Sequence, residues 1–153
     1  MASAFPDLAP YVHPSRVVFL PGMPSKRETL IALVDQLAGL PGIGNRAAFL
    51  QAILDREDVT STGIGGGVAV PHAQLSTITV FAIAIAVCPG GIEFSSKDDK
   101  PVRVVVMIAA PSSDRPAYLK ILASVAARLN RSDLVARLLE ARDGQDVIAR
   151  FLG

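Results

Sequence analysis

Two apolar runs, Ile78 to Val87 and Val102 to Ala109, restrict the fold more than any other feature of the chain. Both are rich in β-branched residues and neither alternates with polar ones. As strands they must be covered on both faces, which calls for helices on either side of a sheet. A Pro89-Gly90-Gly91 turn and a polar segment from Ser95 to Lys100 separate them.

The helices that would supply the cover carry their own signals. Ser25-x-x-Glu28 reads as a capping box, and Leu30, Leu33, Val34 and Leu37 then recur at helical spacing, which predicts a helix ending near Gly39. Pro41-Gly42-Ile43-Gly44 is a turn. Asn45 is an N-cap candidate for a second helix whose inner face is Ala48, Ala52 and Ile53 and whose end is near Glu57. Between Pro116 and Asn130 the spacing places Leu119, Leu122, Ala126 and Leu129 on one buried stripe. Ser132 can cap a short helix through Glu140, and Asp143 a last one through Phe151. Residues 1–15, with three prolines, read as a loosely held leader before a first strand, Arg16 to Leu20. Residues 16–153 are then one α/β domain: a mixed, mostly central sheet flanked by helices on both faces, in three layers.

Composition removes several classes of function. The 15 basic and 14 acidic residues are mixed along the chain, so no basic patch of the kind nucleic acid requires is present. Cys88 is the only cysteine and sits in an apolar run, which excludes a disulfide framework and a cysteine-rich zinc site within one chain. The first residues lack the form of a signal peptide, and the purest apolar stretch, Val80 to Cys88, is too short to span a bilayer. The expected location is the cytoplasm, with no membrane insertion.

Chemistry concentrates in Ser61-Thr62-Gly63-Ile64-Gly65-Gly66-Gly67-Val68-Ala69-Val70-Pro71-His72. Glycines leave backbone N–H groups open to an anion, Ser61 and Thr62 add hydroxyls, and Pro71 restricts the chain just before an imidazole. A histidine neutral near pH 7 has one free nucleophilic nitrogen while the other can be held by a carbonyl or carboxylate. Its alternative role is a loop histidine satisfying a hydrogen bond. The glycine spacing fits neither the dinucleotide pattern nor a Walker loop, and Ser61 or Ser76 with His72 lacks the nucleophile-elbow spacing. His13, the other histidine, lies in the proline-rich leader, so no second metal ligand accompanies His72 and no metal is implied.

The same run closely resembles the signature of the enzyme IIA domains of the fructose/mannitol class of the bacterial phosphoenolpyruvate-dependent phosphotransferase system. The likeness extends through Ile92-Glu93-Phe94, Lys100-Pro101-Val102, Ala110-Pro111, Leu119 to Leu122 and Arg128-Leu129-Asn130. The tail Leu134-Val135-Ala136-Arg137-Leu138-Leu139 looks most like the nitrogen-regulatory branch. The resemblance implies that His72 accepts a phosphoryl group through Nε2 from a histidine-containing phosphocarrier protein, with no cofactor. It implies that Ser61, Thr62, Gly63, Gly65 and Gly67 shape the pocket. Arg56 is a candidate for holding phosphate or else a solvated charge at a helix end. Tyr118 stands where many members have a second histidine, near His72 or simply in the core. Gly66 replaces the usual asparagine, and Gln74 a basic or small residue. The output is regulatory on this reading. The alternatives are a sugar-specific component that passes phosphate to a permease-linked IIB domain, and a binding module that is never phosphorylated.

Overall fold

Both apolar runs are strands, and they lie side by side. In the computed structural model, which describes residues 7–153, the chain runs β1 (Val17–Phe19), α1 (Lys26–Ala38), α2 (Arg46–Val59), β2 (Gly63–Gly65), β3 (Val68–Ala69), β4 (His72–Leu75), β5 (Ala82–Ile92), β6 (Val102–Pro111), α3 (Arg115–Leu129), α4 (Leu134–Leu139) and α5 (Gly144–Leu152). These elements form a single domain around one mixed sheet, ordered β1-β5-β6-β3-β2, with β4 also paired to β6. β5 and β6 are antiparallel, and β1 runs parallel to β5.

The continuous hydrophobicity of β5 and β6 is explained by alternation between two cores. Ala82, Ala84, Ala86 and Cys88 of β5, with Val105, Met107 and Ala109 of β6, face α1 and α2 and meet Leu30, Leu33, Leu37, Phe49 and Ile53. The intervening Ile83, Ile85 and Val87, with Val104, Val106 and Ile108, face α3, α4 and α5 and meet Ile121, Val125, Leu138 and Phe151. The β5 side chains that face α1 and α2 are small, and those that face α3 to α5 are larger. Each fully buried leucine or isoleucine contributes about 1.5–3 kcal/mol, so the two-sided sheet is the main source of stability.

Local capping follows the sequence at three helices. Ser25 Oγ accepts from the Glu28 N–H (3.0 Å) while Glu28 Oε1 accepts from the Ser25 N–H (3.2 Å). Asn45 caps α2 through the Ala48 N–H (3.1 Å), and Asp143 caps α5 through the Asp146 N–H (2.8 Å).

Elsewhere the structure departs from expectation. β5 starts at Ala82, because Ile78 to Val80 bend away to clamp the turn between α1 and α2, where the Thr79 N–H donates to Gly42 O (2.8 Å). It also continues through Pro89-Gly90-Gly91, which is a bulge and not a turn: the register slips between Val87 and Ile92, and Gly91 has φ +83°. α4 begins at Leu134 without a side-chain cap from Ser132. The buried stripe of α3 is Tyr118, Ile121, Val125 and Leu129, which leaves Leu119 outside. The part of the leader that is described, residues 7–15, is not loose. Leu8 and Val12 are buried in the α3-side core, and Tyr11 packs edge-on to Phe81 with ring centres 5.9 Å apart. Just after it, the Arg16 guanidinium donates to Ile83 O and Tyr11 O. Residues 1–6 lie outside the described residues.

Because Leu8 is fully enclosed, Leu8→Ala should lower stability by about 2–5 kcal/mol, the usual cost of a buried leucine truncation. Urea unfolding would measure it, and a loss below about 0.5 kcal/mol, the scale of a surface change, would mean that the segment does not belong to the core.

Candidate functional site

One side of β6 is shared by two short strands placed end to end. Val68 and Ala69 pair with Val104 and Val105, and after a break at Val70-Pro71, His72 to Leu75 pair with Ile108 to Pro111. Pro71 has no N–H to give a ladder, and the Val70 N–H turns aside to Thr62 O (3.1 Å). His72 thus opens a strand opposite Ile108, on the sheet face covered by α3.

The imidazole is held by its own chain. Its Nδ1 lies 2.7 Å from Val70 O. A carbonyl only accepts, so Nδ1 carries the hydrogen and Nε2 keeps a free lone pair. Burial pushes the ring's pKa below the ordinary histidine value; the Val70 hydrogen bond opposes that shift, the Arg56 charge adds to it, and Glu57 opposes it. The neutral ring is therefore favoured at pH 7, with Nε2 unprotonated.

His72 borders two clefts. One, of about 430 Å³, is lined also by Ala52, Arg56, Ala73, Gln74, Arg115, Tyr118, Leu119 and Leu122. The other, of about 310 Å³, is lined by Arg56, Thr60, Ser61, Thr62, Ile64, Val70, Lys97, Leu122 and Ala126. The structure thus brings Arg56, Ser61, Thr62 and Tyr118 to His72. Tyr118 is buried with its ring centre 6.0 Å from that of His72, so it lies both in the core and beside the imidazole. Burial raises the pKa of its phenol, against smaller opposing effects of Arg56 and Arg115, and so keeps it a hydrogen-bond donor. Arg56 uses one nitrogen on Thr60 O (3.0 Å) at the end of α2. Gln74 reaches Pro111 O (3.3 Å).

The glycines behave differently from expectation. Gly63, Gly65 and Gly67 line neither cleft, and the loop is a β2–β3 hairpin in which three glycine N–H groups already have acceptors. The Gly63 N–H donates to Ser61 Oγ (3.0 Å), Gly65 to Ser96 Oγ (3.2 Å) and Gly66 to Asp98 Oδ2 (3.1 Å). Ser61 donates in turn to Phe94 O (2.5 Å), which leaves its hydroxyl no proton for an anion. Gly65, Gly66 and Gly67 have φ of +92°, +69° and +84°, so glycine is needed here for the turn. Asparagine is among the side chains that best tolerate that left-handed region, so the φ of +69° at Gly66 is one that either residue can adopt. The Thr62 hydroxyl is buried without a partner among the described residues.

Several neighbours of the site escaped the sequence reading. Glu57 is buried, accepts the Thr62 N–H on both oxygens (3.1 and 3.2 Å) and pairs with Lys26 at 3.0 Å, so it ties the entrance of the hairpin to α1 and α2. Lys26 and Glu57 are too far apart in sequence to announce the pair. Lys97 arrives from the segment between β5 and β6. Arg115 had a usable signal: it stands one helical turn before Tyr118, behind the Asp114 cap, whose Oδ1 accepts the Ala117 N–H (3.1 Å). His13 is exposed, with its Nδ1 on Ser15, and lines neither cleft. Among the described residues no group of three or more His, Cys, Asp or Glu could hold a metal ion, and no helix is long and apolar enough to cross a membrane.

Comparison with known proteins places this geometry in context. Residues 11–152 match the family model described as phosphoenolpyruvate-dependent sugar phosphotransferase system, EIIA 2. The chain is 33% identical over 137 residues to the PTS system fructose-specific EIIA component of Haloferax volcanii, covering 89% of each. It is 34% identical over 123 residues to a nitrogen regulatory protein of Bradyrhizobium diazoefficiens, covering 80% of each. In fold it is similar to the crystal structure of nitrogen regulatory protein IIA-Ntr from Neisseria meningitidis, with a TM-score of 0.80 and 22% identity over 90% of this chain and 93% of that one.

The geometry of His72 sets its titration. NMR should give a midpoint below the reference value of about 6.5, with Nδ1 protonated in the neutral ring. With the folded pKa below the unfolded one, the stability contributed by the neutral ring is complete above about pH 6.5 and is lost as pH falls through the lowered folded value. The stability of the wild type relative to His72→Gln should decline over that window. A midpoint above about 6.5 would contradict the desolvated setting.

Proposed function

Because the chain belongs to the EIIA 2 family of the phosphoenolpyruvate-dependent sugar phosphotransferase system, we propose that His72 is its phosphoryl acceptor and that a histidine-containing phosphocarrier protein is the donor. The observation that carries this reading is the Nδ1–H bond to Val70 O, which leaves Nε2 as the free nitrogen of a side chain bordering two clefts.

In the transfer, the Nε2 lone pair attacks the phosphorus of the donor's phosphohistidine. The new N–P bond forms as the donor's breaks, and the departing electron pair returns to the donor's ring nitrogen. The His72 proton stays on Nδ1, where Val70 O disperses the charge that builds on the ring as Nε2 commits its lone pair. Arg56, Arg115 and Lys97 supply the positive charge that phosphoryl oxygens require, and the Tyr118 hydroxyl supplies a neutral donor. The glycine hairpin contributes by fixing the path of Val70 to His72, and its N–H groups hold protein oxygens instead of phosphate.

A regulatory output is the second part of the proposal. It is supported by the likeness of Leu134 to Leu139 to the nitrogen branch and by the 34% identity to a nitrogen regulatory protein. A phosphoryl group adds close to two negative charges beside three cations, which cancels most of the local positive charge without any refolding. Delivery to a IIB domain is the use of the same phosphohistidine in sugar transport.

Incubation with phosphoenolpyruvate, enzyme I and the carrier protein, followed by intact mass at neutral pH, should add one phosphoryl group to the wild type and to His13→Ala, and none to His72→Ala. Labelling of His72→Ala at another residue would overturn the assignment. Tyr118→Phe keeps the ring and removes the hydroxyl, and should slow transfer by roughly tenfold, the scale of one hydrogen bond to a charged group.

A further inference from the structure

Two further clefts adjoin at the tip of the β2–β3 hairpin. The larger, of about 360 Å³, is bordered by Lys100, Pro101 and Arg103 at the start of β6. The smaller, of about 270 Å³, lies between the hairpin and the end of α3, where Ile64, Val68 and Leu129 make an apolar side and Asn130, Arg131 and Ser132 a polar one. Gly66 and Val135 line both. Neither cleft includes His72, and the pair has only Ile64 in common with the two clefts that do. The phosphoryl transfer proposed above makes no use of this space.

The place where the clefts meet is open because residue 66 has no side chain. A Cβ built on Gly66 has no heavy atom within 4 Å, and one on Gly67 first reaches Val135 Cγ1 at 3.8 Å. The walls are fixed by the protein's own bonds: the Gly66 N–H donates to Asp98 Oδ2 (3.1 Å), and the Arg103 N–H donates to Gly67 O (2.8 Å). The site is thus formed in advance of any occupant. Its charge is mainly positive. Lys100 and Arg103 make no ion pair within 4.0 Å among the described residues. Arg131 uses Nη1 on Gly153 O (2.6 Å). Asp98, the one acidic residue that lines either cleft, gives its two oxygens to the Gly66 and Lys100 N–H groups.

We propose that these adjoining clefts are a binding site for a small organic oxyanion, a molecule with an apolar body and a carboxylate or phosphate head. Lys100 and Arg103 hold the head, and the planar fork of the guanidinium suits two oxygens of either group. Val135, Ile64, Val68 and Leu129 receive the body, which leaves water as they do. The site is separate from the acceptor and does not depend on His72 being phosphorylated.

Amide NMR titration of the full chain tests the site with three probes that share one body: phenyl phosphate, benzoate and the uncharged benzyl alcohol. Phenyl phosphate or benzoate should give saturable shifts at Gly66, Gly67, Arg103 and Val135, and the tighter of the two identifies the head group. Benzyl alcohol should bind about tenfold more weakly or less, since it cannot use the cations. Arg103→Gln removes the fork, and Gly66→Asn places a side chain where the clefts meet at a φ that asparagine tolerates. Each should weaken the tighter probe by about five- to tenfold while the amides of β5 and α1 keep their wild-type positions. No saturable shift with either anion, equal binding of benzyl alcohol, shifts confined to residues around His72, or undiminished binding in either variant would overturn the site.

Discussion

The antiparallel pairing of β5 with β6, buried on both faces, is the constraint on which the rest of the molecule depends. A strand pair with no polar face cannot stand at a surface, so helices must cover both sides, and the alternation of side-chain size decides how near each layer comes. Alanines at positions 82, 84 and 86 admit α1 and α2, and Ile83, Ile85 and Val87 support α3 to α5. The segment before α1 is drawn into the same arrangement, with Leu8 and Val12 completing the α3-side core.

The functional site is built where that regular arrangement is interrupted. Pro71 breaks the ladder beside β6, and the break allows Val70 to give its N–H to Thr62 while its carbonyl takes the His72 Nδ1–H. One residue thus connects the hairpin to the imidazole. Upstream, Glu57 joins α2, α1 and the start of the hairpin by accepting from Thr62 and Lys26. A carboxylate this well occupied is a rigid anchor, and it moderates the effect of Arg56 on the imidazole, since their influences on its pKa have opposite signs.

α3 shows where a periodicity argument fails. In α3, residues at either of two neighbouring stripes can fill a core, because the helix carries apolar side chains nearly all round. Tyr118, Ile121, Val125 and Leu129 face inward, and the stripe starting at Leu119 is left for the surface beside His72. Leu119 is thereby left 46% exposed beside the cleft that His72 and Arg115 also line.

What the sequence determined by itself was local in origin. The caps at Ser25, Asn45 and Asp143 and the two-sided burial of the long strands all depend on residues within a few positions of one another, or on composition within a run. The demand for glycine at Gly65 to Gly67 was visible too, although the structure assigns it to a left-handed turn instead of an anion cradle. Only the tertiary structure decided who occupies the hairpin's N–H groups, because Ser96 and Asp98 come from about thirty residues away. It also decided the Lys26–Glu57 anchor, the arrival of Lys97 and Arg115 beside His72, the bulge that carries β5 past Pro89, and the rotation of α3 by one residue. The physical reason is the same in each case. A hydrogen bond or an apolar contact between distant residues has no sequence period, and it forms only after the sheet has brought the two segments together.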